Sequence, residues 1–346
     1  MMHVHLQRRR GLVLGLALLL TTALLLLLGA SLGSTGVQWP WDLRNDATAW
    51  QIVWEIRLPR SLGAWLAGAL LGLSGAVTQG LFRNPLADPY LLGSASGAAL
   101  GVATALVLLG GVDVGVGAGP ALAPWLRSLG LTGAAFTGAV AAALLTLALA
   151  RGAQHTLRLL LSGVVVSVVL GALSSLVMSL APEVMQALQA FTLGSTGFVD
   201  WHACGVMAVV LLVGVVVAWI CSHVLDGLVL GEASAVSLGL PVSSLRAVLV
   251  MVMALATGTA VAQTGLIGFV GLAAPHLVRA RVKASYGVLI LLSGVMGGVL
   301  LMAADTMARS LLAPQELPVG VLTAVLGGSY LLALMHREGA AQKGRP

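Results

Sequence analysis

The chain has 346 residues, 58% of them hydrophobic and 9% charged, with a formal net charge of +6. A soluble domain carries roughly 25% charged residues, and no stretch here is polar enough to form one. Composition therefore indicates an all-α polytopic membrane protein, with residues 1–346 as a single transmembrane domain. The basic residues flank apolar runs, where they orient a chain against a bilayer, so no nucleic-acid partner is expected.

The N-terminus reads "MMHVHLQRRR" followed by "GLVLGLALLLTTALLLLLGA". A basic start and an apolar run also open secretory signal peptides. This run, however, is long enough to cross ~30 Å of hydrocarbon and longer than a signal h-region, and it is predicted to be an uncleaved first helix. Further windows of spanning length follow at 61–82, 92–110, 130–150, 159–180, 203–222, 247–264, 266–278, 287–305 and 317–335, making ten with 11–30. The eighth is short and glycine-rich, and Gly265 divides it from the seventh.

Charge tests this count through the positive-inside rule. With both termini cytoplasmic, the inner segments hold Arg8, Arg9, Arg10, Arg83, Arg151, Arg158, Arg246, Arg279, Arg281, Lys283, Arg337, Lys343 and Arg345, against Arg44, Arg57, Arg60, Arg127 and Arg309 outside. Removing one span would scramble this partition. The 44 glycines fit close helix packing in lipid, where small residues let backbones approach; "GLTGAAFTGAVAAALL" (130–145) is an example.

The sequence also excludes chemistry. Neither lysine stands in a Gly-Lys-Ser/Thr motif, so there is no phosphate-binding P-loop, and ATP with its magnesium would be handled by another chain. No His-Glu-x-x-His, zinc-spaced Cys/His cluster or Gly-x-Ser-x-Gly elbow occurs, which leaves no candidate catalytic residue, metal site or cofactor of its own. His3 and His5 are a weak His-x-His, and His276 after Pro275 reads as structural or docking. Cys204 and Cys221, on one apolar run, would lie ~25 Å apart along a helix and cannot bridge. Charged groups fall at helix ends rather than mid-membrane, against a proton relay.

"SGAVTQG" (74–80) and "GTAVAQTG" (258–265) share Ala-Val-x-Gln and precede breaks, a faint echo that chance explains as well as an inverted repeat does. After the first comes "RNPLADPYLLG" (83–93). Pro85 and Pro89 remove two backbone donors and bias Asn84 and Asp88 away from helix. Asn84 and Asp88 can bond the backbone of the turn, and the local physics is a tight reversal between two helices.

From Arg57 to Gly101, "RLPRSLGAWLAGALLGLSGAVTQGLFRNPLADPYLLGSASGAALG" closely resembles the permeases of the iron-chelate, haem and vitamin B12 family of ABC importers. The similarity continues in family order through "LLLSGVVVS" (159–167), "LGSTGFVDW" (193–201), "LGEASAVSLGLPV" (230–242), "GLIGFVGLAAPHLVR" (265–279), "ADTMARS" (304–310) and "ELPVGVLTAVLGG" (316–328). The resemblance implies a vitamin B12 permease-like importer fold of ten helices in the inner membrane. It also implies a homodimer with the path between the copies, two cytoplasmic ATPase subunits, and a periplasmic or lipid-anchored binding protein. The expected cargo is an iron(III) chelate such as a siderophore, with haem or vitamin B12 as the alternative and a gradient-driven carrier as the rival mechanism.

Residue roles follow from the resemblance. The segment of about 223–246 resembles the coupling segment that docks on the ATPase, centred on Gly231, Glu232, Ala235, Leu238 and Gly239. Arg57 and Arg309 match outward-facing arginines that meet carboxylates on the binding protein; pairing within the chain, Arg309 with Asp305 and Arg57 with Glu55, stands beside that reading. The path is expected along the fifth span, with Ser162 and Ser167 on it and Gln79 and Gln263 as neighbours. One departure stands out. After "PHLVR" the family has a Gly and then an Asp-His-Arg group, whereas this chain reads "ARVKASYG", leaving Arg281 and Lys283 as the nearest substitutes for any ATPase contact made there.

Overall fold

The computed structural model describes residues 2–33, 36–37, 46–108, 124–150 and 156–343. Its helices are α1 (Met2–Ser31), α2 (Ala47–Ile52), α3 (Leu58–Leu81), α4 (Ser94–Leu108), α5 (Pro124–Leu149), α6 (Thr156–Leu180), α7 (Met185–Leu193), α8 (Trp201–Ile220), α9 (Ser222–Val229), α10 (Glu232–Ser237), α11 (Val242–Thr264), α12 (Val270–Arg281), α13 (Tyr286–Ser310) and α14 (Val319–Lys343). A two-residue antiparallel ladder pairs Leu32 with Val37. Each of the ten apolar windows falls on a helix. Among the described residues, seven helical stretches are long and apolar enough to cross a membrane, whereas α4 and α12 have 15 and 12 residues and the apolar part of α14 is Val319–Ala333. Arg44, Arg151 and Arg345, and the side chains of His3, His5, Arg8, Arg127, Arg337 and Lys343, lie outside the described residues.

The core is built around α3, which packs against α13, α11, α12 and α8. Small residues make that possible. A Cβ on Gly72 would stand 2.1 Å from the carbonyl oxygen of Ser293 in α13, and one on Gly75 1.7 Å from that of Gly271 in α12. In lipid no hydrophobic drive pulls helices together, so backbone approach and dispersion do. The small residues of 130–145 act likewise: Gly138 of α5 meets the backbone of Gly97 in α4. By contrast, α1 and α6 turn most of their apolar surface outward.

Three breaks shape the bundle. Asp46 caps α2 by accepting from the N–H groups of Thr48 and Ala49 at 3.0 and 3.2 Å, and a π-turn (Val53–Arg57) carries the helix into α3, where Pro59, lacking an N–H, leaves the Trp54 carbonyl to accept from Trp201 instead. At the other end of α3, the Asn84 side chain accepts from Leu86 N–H at 2.9 Å and Asp88 from Tyr90 N–H at 2.8 Å, holding the reversal expected of "RNPLADPYLLG". Burial pushes the Asp88 carboxyl up, and the Tyr90 bond pulls it down. The third break is at Gly265, where α11 ends and an extended link leads to α12. The two latter breaks nest: the Tyr90 hydroxyl donates to Ile267 O at 3.1 Å, and Pro89 abuts Gly271.

Candidate functional site

Functional geometry gathers at the two ends of the bundle. At one end lie the start of α1, the α12–α13 link and the predicted coupling segment. That segment folds as α9, a turn, α10 and a second turn into α11. Gly231 and Gly239 flank α10 with φ of +105° and +77°, a left-handed backbone region that side chains resist. Ala235 is fully buried against the neighbourhood of Gly227. This corrects its place at a docking centre: its methyl fills the inside of the segment, and the surface is offered by Val236 and Leu238, both exposed. Glu232 is also tied inward, 3.2 Å from Arg246, whose guanidinium is buried.

The segment is bolted to the core by polar bonds that the sequence reading missed. Asp226 of α9 accepts from the N–H of Tyr286 at 2.9 Å, filling one of the donors left open at the start of α13. The Tyr286 side chain engages Arg279 at the end of α12, and Arg279 donates to the Gln79 side chain in α3. Gln79 in turn donates to Leu272 O at 3.1 Å. Gln79, expected beside the pathway, is buried within this copy: a buried amide must find partners, and it finds them between α3 and α12. Nothing in the sequence signals this, because Gln79 and Arg279 are distant along the chain. His276 of α12 lies edge-on to Tyr330 of α14, with centroids 5.7 Å apart.

The opposite end carries a second charged cluster. The Asp305 carboxylate, fully buried, accepts from Arg60 at 3.2 Å and from the Thr196 hydroxyl, and stands 2.9 Å from Arg309. Arg60 also pairs with Glu316 at 2.9 Å. Arg309 further donates to Gly29 O at 3.1 Å and Ser61 Oγ at 3.2 Å, and is only 7% exposed. Arg309 is thus turned inward: its two terminal nitrogens are engaged by Asp305, Ser61 and the end of α1, while its Nε is buried without a hydrogen-bond partner among the described residues. Arg57 donates to Ala30 O at 3.4 Å and is half-buried. Arg57, Arg60, Arg309 and Glu316 together line a depression of about 180 Å³. Beside it, Trp201 donates to Trp54 O at 2.9 Å with the rings 5.3 Å apart, an aromatic pair of the kind that sits at a membrane boundary.

Between these ends, α6 exposes Val164, Val168, Leu176 and Leu180. Ser162 and Ser167 are half-buried on it, and the Ser167 hydroxyl donates back to Gly163 O at 2.8 Å. Gln263 on α11 is half-buried. No group of three or more His, Cys, Asp or Glu that could hold a metal exists among the described residues.

This arrangement has relatives. Residues 17–337 match the FecCD transport family. The chain belongs to the FecCD transport family. The hemin transport system permease protein HmuU of Yersinia pestis is 37% identical over 333 residues, covering 94% of this chain and 96% of that protein. The vitamin B12 import system permease protein BtuC of Salmonella paratyphi A is 40% identical over 339 residues, covering 96% and 97%. A solved chain assigned to a metal-chelate type ABC transporter, in an inward-facing conformation, superposes with a TM-score of 0.80 at 27% identity, covering 93% of this chain and 98% of that one. FecCD membership fits a helical chain with charged clusters at its two ends.

Proposed function

We propose that this chain is the membrane-spanning subunit of an ATP-driven importer of a metal chelate. It works as a pair of identical copies with two separate ATPase chains and a periplasmic or lipid-anchored binding protein. The observation that carries the reading is the family match over residues 17–337, joined to a sequence without a P-loop of its own. In this reading the ten helices all cross the inner membrane and both termini face the cytoplasm. The clustering of Arg246, Arg279, Arg281 and Lys283 at the end that holds the start of α1 supports that orientation.

The α9–α10 segment docks on the ATPase through Val236 and Leu238. Arg57, at the mouth of the outer arginine depression, meets the binding protein, while Arg60 and Arg309, neutralised by Asp305 and Glu316, hold the structure behind it. The cargo is an iron(III) chelate such as a siderophore. Haem or vitamin B12 is the second reading, favoured by the relatives named for hemin and for vitamin B12.

Gentle purification of the tagged protein from native membranes, with mass spectrometry of co-purifying chains, tests the mechanism. A stoichiometric ATPase with vanadate-sensitive hydrolysis is expected. A subunit that is reproducibly alone, yet takes up substrate on a proton or sodium gradient, would overturn the reading in favour of a secondary carrier.

A further inference from the structure

Two grooves open on either side of the line where α1 meets the α12–α13 link. The first, about 780 Å³, runs between Leu12, Leu16 and Leu19 of α1 and Val288 and Leu291 of α13, with the exposed Lys283 in its wall. The second, about 470 Å³, holds Arg9, Arg10 and Arg281 beside Val13 and Ala17. Val282, 3% exposed, is the wall they share. The Gln7 side chain accepts from Lys283 N–H at 3.2 Å and ties the two sides together.

The charges here are one-sided. Among the described residues, no carboxylate lines either groove. Among the described residues, Arg9, Arg10, Arg281 and Lys283 take part in no ion pair, whereas Arg60, Arg246 and Arg309 all do. Their depth is defined as well: Arg9 opens the apolar span of α1, Arg9–Ser31, and Arg281 closes α12. Arg9, Arg10 and Arg281 line the second groove and Lys283 the first, so four cations stand on the two sides of Val282 at the boundary of the membrane-spanning region. Exposed cations at this depth attract negative charge, and a ligand that also fills the apolar trough is anionic at one end and apolar along its length. Arg281 and Lys283 belong to the stretch "ARVKAS" in which this chain departs from the pattern it otherwise resembles.

We propose that these grooves are a binding site for an anionic phospholipid, its phosphate held by Arg9, Arg10, Arg281 and Lys283 and an acyl chain lying along Leu12, Leu16 and Val288. The lipid clamps the start of α1 to the α12–α13 link. The proposal is independent of the cargo; only the leaflet concerned, the cytoplasmic one, rests on the topology above.

The test is native mass spectrometry of the purified full-length subunit in detergent micelles doped with dioleoyl phosphatidylglycerol or dioleoyl phosphatidylcholine. Retention of phosphatidylglycerol over phosphatidylcholine is expected, weakening roughly fivefold for each cation removed in Arg281→Gln/Lys283→Gln and in Arg9→Gln/Arg10→Gln. These side chains are exposed, so the variants keep the fold, which gel filtration checks. Leu12→Trp, which fills the trough and leaves the charge intact, should also lower retention, while Arg158→Gln should leave it unchanged. Equal retention of the two lipids would overturn the site. So would unchanged phosphatidylglycerol retention in the charge variants, and if those variants instead lose ATPase association, the patch is a protein-docking surface.

Discussion

Asp305 shows how a single residue decides what its neighbours can do. It is a buried carboxylate against two guanidiniums, and the pair with Arg309 is the i, i+4 contact readable from the sequence; the sharing with Arg60 and Thr196 is not. Removing one partner of a buried pair leaves an uncompensated charge, at about 3–5 kcal/mol. Asp305→Ala should therefore lower the melting temperature of the purified subunit steeply, and Asp305→Asn less, since its amide oxygen can still accept from Arg60. Melting of the alanine variant at the wild-type temperature would show that the cluster is not holding this end. For the same reason a charge reversal at Arg309 confounds docking with folding. The more informative variant is Arg57→Gln, which keeps a donor for Ala30 O and should weaken binding-protein affinity with a smaller drop in melting temperature than Asp305→Ala; unaltered affinity would remove Arg57 from the docking surface. Glu232 calls for similar care. Its reversal to Lys sets two cations together at Arg246, so hydrogen exchange over 231–246 should rise along with loss of ATPase association. Leu238→Ser, at an exposed position, should lower association alone.

At the scale of elements, α3 is the strut. The pattern "AGALLGLSGAVTQG" reads equally well as a lipid-facing helix with incidental glycines or as a central one with every face in use. The structure chooses the second, because glycines on α3, α12 and α13 coincide in space and admit backbone contact. Gly72→Leu would drive a side chain into the carbonyl oxygen of Ser293, and overpacking of this kind costs about 1–3 kcal/mol or more. The subunit should then elute as aggregate in gel filtration, whereas Gly133→Leu, at a position with open space around it, should elute as wild type. The breaks at 83–93 and 265 were legible because proline and glycine act locally. Their nesting through Tyr90 and Ile267 was not, since no local rule connects residues so far apart in the chain.

For the whole molecule, the informative feature is what one copy leaves uncovered. A helix as apolar as α6, with so little of its span buried, faces either lipid or a second copy. The proposed pairing predicts that a cysteine at Val168 or Leu176, both exposed, forms self cross-links with a bismaleimide in native membranes, while one at Leu20 on α1 does not. Cross-linking from α1 alone would move the interface to the other side of the bundle.

Composition, window length and the placement of arginines determined by themselves that this is a helical membrane protein, where its apolar segments lie and where they break, because those properties depend on hydrocarbon thickness and on local backbone chemistry. The family motifs carried the choice among membrane proteins. Tertiary structure alone decided which polar residues are available. Gln79, Ala235 and Arg309 read as surface groups in one dimension, yet a buried amide, methyl or guanidinium is satisfied by whatever the fold brings within a few ångströms. That meeting of distant segments, such as Gln79 with Arg279 or Asp226 with Tyr286, is set by packing and leaves no mark on local sequence.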